Sequence, residues 1–253
     1  MKIAGLGVVV TGGGSGLGAA TAEALADAGA KVTVVDMNGE AARGVAQRLN
    51  GLAIESDVTN DEAMALAFET AMAAHGPCRV LVNCAGIGVA KRVVGREGPM
   101  PLADFKRVIN VNLIGSFNMM RLAAAQMSKA EPLYEGERGV IISTSSVAAF
   151  EGQLGQAAYA ASKGGIASLT LPVSRELAGF GIRVLTIAPG LFLTPLLQTL
   201  PEDVQKSLGA SIPFPSRLGL PEEFASLVSH MVENRFLNGE TIRLDGALRL
   251  PPK

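Results

Sequence analysis

GVVVTGGGSGLGAATAEALADAGAKVTVVD, residues 7–36, decides the fold. Residues 7–10 are a β-branched run that predicts a strand. Residues 18–28 carry the Ala-rich spacing of a helix, and 31–36 predict a second strand ending at Asp36. Strand, glycine turn and helix in that order form the opening of a βαβ unit. Glycines at the strand-to-helix turn allow positive φ and let backbone N–H groups approach a pyrophosphate, whose charge the helix N-terminus favours. Gly12, Ser15, Gly16, Leu17 and Gly18 are therefore the candidate phosphate cradle. Asp36 stands about 20 residues beyond the glycines, where a carboxylate takes hydrogen bonds from a ribose 2′-OH. The same carboxylate repels a 2′-phosphate, and neither Ser15 nor Met37 offers a positive charge to hold one, so NAD is expected rather than NADP.

Outward from this unit the alternation continues. Strands are predicted at 52–56, 79–83, 139–144, 182–187 and 241–244, and helices at 40–49, 61–74 (capped by Asn60), 102–127, 155–179 and 221–233. Residues 91–101, 128–138 and 189–220 are predicted loops, the last with five prolines. Seven strands alternating with helices predict an α/β fold: a single Rossmann-type, doubly wound parallel sheet of seven strands with helices on both faces. Ligands of such a sheet bind at the carboxyl ends of its strands.

The chain has 253 residues, 48% hydrophobic and 18% charged, with 30 glycines, a size and composition that suit one globular domain over 1–253. A net charge of -1 offers no basic field for nucleic acid and no polybasic segment for a membrane. The most apolar stretch, 184–200, is interrupted by Pro189, Gly190 and Pro195, so no membrane span is expected. Cys78 and Cys84 make neither a disulfide framework nor a zinc pattern, which predicts no metal and a reducing compartment such as the cytoplasm.

Only two tyrosines occur, and Tyr159 precedes Lys163 by four residues on a predicted helix, which puts phenol and ammonium on one face. An adjacent ammonium and a nicotinamide cation would both favour phenolate, so Tyr159 is expected to exchange protons near neutral pH. Ser146, at the end of the fifth strand, would reach the same pocket and donate to a substrate oxygen. The bland reading of the pair is an amphipathic helix with a solvated lysine.

Together these segments resemble the short-chain dehydrogenase/reductase family. The resemblance covers essentially the whole chain: TGGGSGLG at 11–18, Asp57-Val58, NCAG at 83–86, NVNLIG at 110–115, Ser146, YAASK at 159–163 and Pro189-Gly190. It implies a catalytic tetrad of Ser146, Tyr159, Lys163 and Asn112, with Asn112 holding a water that relays protons to Lys163. It implies further cofactor contacts from Asp57, Val58, Asn83, Cys84, Ala85 and Gly86 on one side. Tyr159, Lys163, Pro189, Gly190, Phe192 and Thr194 are implied on the other. Cys84 departs from the usual NNAG motif, although a backbone contact there survives a side-chain change. The stretches 146–165, 182–197 and 212–250 look like the type II 3-hydroxyacyl-CoA dehydrogenases. That likeness implies an acyl-CoA substrate facing Ser146, Gln156 and Tyr159.

Several alternatives stand beside this reading. An α/β-hydrolase lacks its G-x-S-x-G elbow here, and a P-loop lacks GK[ST]. A 3-oxoacyl-carrier-protein reductase is usually NADP-dependent, against which Asp36 argues. A hydroxysteroid dehydrogenase remains open, as does a cofactor-binding scaffold, though scaffolds often lose the tyrosine or lysine. The apolar residues Phe192, Leu193, Leu196, Leu197, Leu200 and Phe214 predict that 189–220 is a lid over a greasy substrate, with short helices packed on the core as the bland alternative. Lys91, Arg92 and Arg96 could reach CoA phosphates. Residues 236–250 are apolar, and the family resemblance implies their burial in a homotetramer.

Overall fold

β-branched runs sheltered on both faces become parallel strands, and the computed structural model places seven of them side by side. It describes residues 1–252, apart from the side chain of Leu196. The strands are β1 (Gly7–Thr11), β2 (Lys31–Asp36), β3 (Leu52–Glu55), β4 (Cys78–Asn83), β5 (Gly139–Thr144), β6 (Ile182–Pro189) and β7 (Thr241–Leu244). They lie in the order β3-β2-β1-β4-β5-β6-β7, every pairing parallel. Strand order reverses between β1 and β4, so the loops following those two strands open a crevice at the carboxyl edge.

Alternate strand residues face opposite layers. Val8 and Val10 join Leu25, Phe224 and Met231 in one core, against helices α1 (Gly16–Asp27) and, near the chain end, Pro221–Glu233. Val9 joins Phe68, Met119, Met127 and Ile141 in the other. Helices α2 (Gly39–Arg48) and α3 (Asp61–His75) start where Asn38 and Asn60 accept hydrogen bonds from Ala41 N–H and Ala63 N–H, both at 3.0 Å. Arg183 is buried on β6. It pairs with Glu137 at 2.8 Å and donates to the carbonyls of Met231, Val232, Asn234 and Leu237, which gives its desolvated charge a full set of partners.

The structure corrects four expectations. The helix expected over 102–127 is α4 (Leu102–Ile109) and α5 (Ser116–Lys129), joined by a π-helical turn, Asn110–Gly115. The loop 91–101 contains a two-residue antiparallel pair, Val94–Gly95 with Gly98–Pro99. The next helix, α6, spans Ala157–Leu177 and starts two residues later than expected. The loop 189–220 holds α7 (Pro195–Gln198) and α8 (Glu202–Ala210) before α9 (Pro221–Glu233). The prolines at 195 and 201 sit at helix starts, where a missing N–H costs nothing.

Candidate active site

At the carboxyl end of β1 the chain turns sharply through residues with no side chain. Gly12 has φ +62, and a Cβ there would lie 2.7 Å from Ala85 N, so this glycine lets the loop after β1 touch the loop after β4. A Cβ on Gly18 would fall 2.1 Å from the Gly12 carbonyl oxygen. The turn is also bonded across the crevice, with Cys84 N–H donating to Thr11 O at 3.1 Å and Ala85 N–H to the Thr11 hydroxyl at 3.3 Å. Helix α1 begins at Ser15 with no side-chain cap and no acid in its first turn, so the N–H groups of Gly16, Leu17 and Gly18 meet no competing anion of the chain.

Asp36 ends β2 directly beside this turn. One carboxylate oxygen accepts from Gly14 N–H at 2.9 Å and the other from Asn38 N–H at 2.9 Å, leaving each oxygen a lone pair. Asp57 caps its own turn through Thr59, and Asn118 of α5 holds the Val58 carbonyl at 2.9 Å. From the far side Thr194 and Pro195 close on the glycine turn: a Cβ on Gly16 would meet Pro195 Cδ at 3.2 Å and Thr194 Cγ2 at 3.7 Å. Gly190 N–H donates to Leu244 O at 2.9 Å, which fixes the start of that segment.

The second cluster lies beyond β5. Ser146 starts a short turn and its Oγ accepts from Ala148 N–H at 3.1 Å, so its own proton is available to another acceptor. It stands next to the phenol of Tyr159, on the first turn of α6. Lys163, one turn later, is buried; its Nζ donates to Thr144 O at 2.7 Å and lies 5.7 Å from the centroid of the Tyr159 ring. Asn112 sits in the π-helical turn. Its side chain accepts from Ile87 N–H at 2.8 Å and donates to Ile87 O and to Ser162 Oγ, both at 2.9 Å. A Cβ on Gly86 would stand 3.3 Å from Asn112 Oδ1 and 3.5 Å from Lys163 Nζ, so NCAG, NVNLIG and YAASK converge on one point.

Burial dominates the titration of this cluster. It pushes the Tyr159 phenol above its ordinary value, and the nearby Ser146 hydroxyl only partly offsets it. It draws Lys163 down to about 8. The expectation of a lowered phenol joined Lys163 to a nicotinamide cation; among the chain's own groups burial dominates and raises it, while Lys163 donates to the Thr144 carbonyl.

Three other expectations meet a different geometry. Phe192 is buried in the core, edge-on to Phe224 at 6.4 Å, so its ring is an anchor rather than a lid surface. Lys91 is paired with Asp104 and not free for a phosphate. Gln156 turns its carbonyl oxygen to Gln153 N–H at 3.0 Å, although it does line a cavity of about 350 Å³ with Lys91, Arg92 and Ala160. Of the proposed lid residues, Leu196 has its side chain outside the described residues and Phe214 is 83% exposed. The sequence reading missed Ser162, which links Asn112 to the helix between Tyr159 and Lys163. Its only signal was a polar residue on the inward face of α6. Thr11 and Thr144, which act through a hydroxyl and a carbonyl, carried none.

A glycine turn at the switch point beside a serine, tyrosine and buried lysine is the arrangement of a nicotinamide-dependent oxidoreductase class. The model of the family described as "short chain dehydrogenase" matches residues 7–205, and the chain belongs to that family. It is 52% identical to 3-hydroxyacyl-CoA dehydrogenase type-2 of Homo sapiens over 255 residues, covering 99% of this chain and 98% of that one. With the Drosophila melanogaster protein of the same name it shares 49% identity over 248 residues, covering 96% and 97%. The crystal structure of 3-hydroxyacyl-CoA dehydrogenase type-2 from Mycobacterium avium superposes with a TM-score of 0.93 at 40% identity, covering 100% of both chains.

Proposed function

We propose that the chain interconverts a 3-hydroxyacyl-CoA and the corresponding 3-oxoacyl-CoA with NAD, using Ser146, Tyr159, Lys163 and Asn112. The observation that carries this reading is the meeting of Lys163 and Asn112 beside Gly86, with the Tyr159 ring 5.7 Å from the Lys163 ammonium and Ser146 next to the phenol. The acyl-CoA class is supported by the printed names of relatives about half identical over nearly the whole chain.

The residues present fit a dinucleotide. The first turn of α1 would hold its pyrophosphate, Asp36 the adenosine ribose and Asp57-Val58 the adenine. Asn83 to Gly86, Pro189, Gly190 and Thr194 would border the nicotinamide end. When bound, NAD supplies the hydride-accepting chemistry. Ser146, whose oxygen is already engaged by Ala148 N–H, donates to the substrate oxygen and orients the carbon it sits on. Tyr159 takes the hydroxyl proton in oxidation and returns it in reduction. Lys163 keeps a positive charge near the ring and favours the phenolate against burial. Asn112 locks Ile87 and Ser162 in place around them.

Residues 189–220 would cover the substrate mouth. They are anchored by Phe192 at one end and by the paired Arg217–Glu223 at the other, so movement would be confined to α7 and α8. Hydrogen exchange with and without both ligands tests this: unchanged exchange over 195–210 would remove the cover. We further propose a homotetramer in a reducing compartment such as the cytoplasm. The fully exposed Phe236 ring and two free cysteines, with thiols raised by burial, support those readings. A monomeric mass by light scattering would overturn the tetramer.

Among alternatives, Asp36 disfavours an NADP-dependent 3-oxoacyl-carrier-protein reductase, and the intact catalytic set disfavours a scaffold. No helix among the described residues is long and apolar enough to cross a membrane. The test is a side-by-side assay of acyl-CoA, acyl-carrier-protein and hydroxysteroid substrates with both cofactors. Preference for NADPH, or no turnover of any 3-hydroxyacyl-CoA, would defeat the reading.

A further inference from the structure

The segment 151–156 runs from the Ser146 turn to the start of α6 and forms one wall of the 350 Å³ cavity; Lys91 to Val94 form the other. It has no regular structure and little apolar anchorage, since Leu154 is 54% exposed. Gly155 O accepts from Lys91 N–H at 2.9 Å across the cavity, and Glu151 supplies the side-chain ties. The Glu151 carboxylate accepts from Arg243 at 2.8 and 3.1 Å and from Leu250 N–H at 3.0 Å, and it pairs with Arg249 at 3.3 Å. Arg243 in turn is fixed by Asp245 at 2.7 Å and lies over the Phe150 ring. The chain beyond Arg249 then runs along the segment. Gln153 Nε2 donates to Pro251 O, and Leu154 N–H to Pro252 O, both at 3.1 Å.

We propose that Glu151 is a positioning residue for substrate: through Arg243 and residues 249–252 it holds the 151–156 wall at the width the acyl-CoA mouth needs. A wall of Gly152, Gln153, Leu154 and Gly155 takes its shape from its ties rather than from packing. The bidentate arginine and the backbone donor are the strongest of them. They contact neither the glycine turn nor Lys163, so loosening them changes substrate capture and leaves cofactor binding and the proton-transfer groups in place. The proposal rests on the functional reading above only in naming the ligand.

The test compares wild type, Glu151→Ala and Glu151→Gln in the reduction of acetoacetyl-CoA by NADH, with NADH affinity, melting temperature and hydrogen exchange on the same samples. Glu151→Ala is expected to raise KM for acetoacetyl-CoA about tenfold, with kcat and NADH Kd within about twofold, and to speed exchange over 151–156. Glu151→Gln, which keeps an acceptor, restores part of the KM. Unchanged KM and exchange in folded Glu151→Ala would overturn the proposal. So would kcat, KM and NADH Kd worsening together, which marks a general folding defect. If Glu151→Ala fails to fold, Arg249→Ala decides: Arg249 is 60% exposed and carries only the outer tie, so unchanged exchange and KM in it overturn the proposal. Wild type inert toward acetoacetyl-CoA would defeat the acyl-CoA reading alone, because exchange over 151–156 still judges the clamp.

Discussion

The loop after β1 presents backbone, whereas the loop after β5 and the helix α6 present side chains. In the first, specificity of residue is steric: Gly12 and Gly18 are required because a Cβ would strike Ala85 N or Gly12 O. In the second, it is electrostatic: Lys163 and Tyr159 titrate away from their ordinary values because they are sheltered from water. The two regions should therefore fail differently. A steric lesion removes binding and stability together, while a polar lesion removes chemistry and leaves the cradle intact.

The largest effect is expected at Gly18→Ala. With a Cβ 2.1 Å from a carbonyl oxygen, the turn must shift, costing about 3 kcal/mol and roughly 6–12 °C in Tm. NAD binding should disappear in the same variant; wild-type affinity by fluorescence titration would show that the turn yields cheaply. Tyr159→Phe sits at the opposite pole, since the ring stays and only the hydroxyl goes. Turnover should fall by at least ~10²-fold with NAD affinity unchanged, and near-normal turnover would take Tyr159 out of the chemistry.

A smaller effect sharpens the boundary between the two regions at Asp36, which braces Gly14 N–H and Asn38 N–H through its side chain. Asp36→Ala with Met37→Arg should move preference toward NADP by about tenfold, while losing some NAD affinity through the unbraced turn. An unchanged preference ratio would mean that the carboxylate only supports the backbone.

The remaining effect is thermodynamic. Lys163 in the folded chain loses its proton at about 8, against an ordinary 10.5, so between those values the unfolded chain binds more protons than the folded one. Stability contributed by this site therefore rises as pH climbs from about 8 to 10.5, and below 8 the cost of the buried charge is carried in full. Lys163→Met should abolish that rise in denaturant titrations at pH 8 and 10. An identical pH slope in variant and wild type would mean that Lys163 is solvated.

Much of this was legible because burial writes itself into composition. β2, β5, β7 and α9 match the residues expected for them, the strands as apolar runs and α9 through a Pro at its first position and Glu223 accepting from Leu220 N–H at 2.8 Å. The π-helical turn was invisible because one extra residue in a turn barely disturbs a periodicity read over 26 positions. α7 and α8 were legible only as the alternative to a loop, because prolines mark helix starts as readily as loops. Phe192 was misjudged because an apolar residue in a loop can face inward as easily as outward. The desolvation of Tyr159 required knowing that Lys163 faces the Thr144 carbonyl.

The π-helical turn has a consequence for how this helix tolerates change in length. Such a turn is an α-helix with one residue inserted, so everything after it is rotated by about 100° relative to an uninterrupted helix. That rotation lets α4 face α6 while α5, on nearly the same axis, faces β4 and β5. Deleting any one residue from 110–115 would yield a smoother helix by local rules, yet it would turn Met119 and Met127 off the sheet or Asn112 off Ile87. The irregularity acts as a gear between two packing surfaces, and a chain regularised here would have to give one of them up.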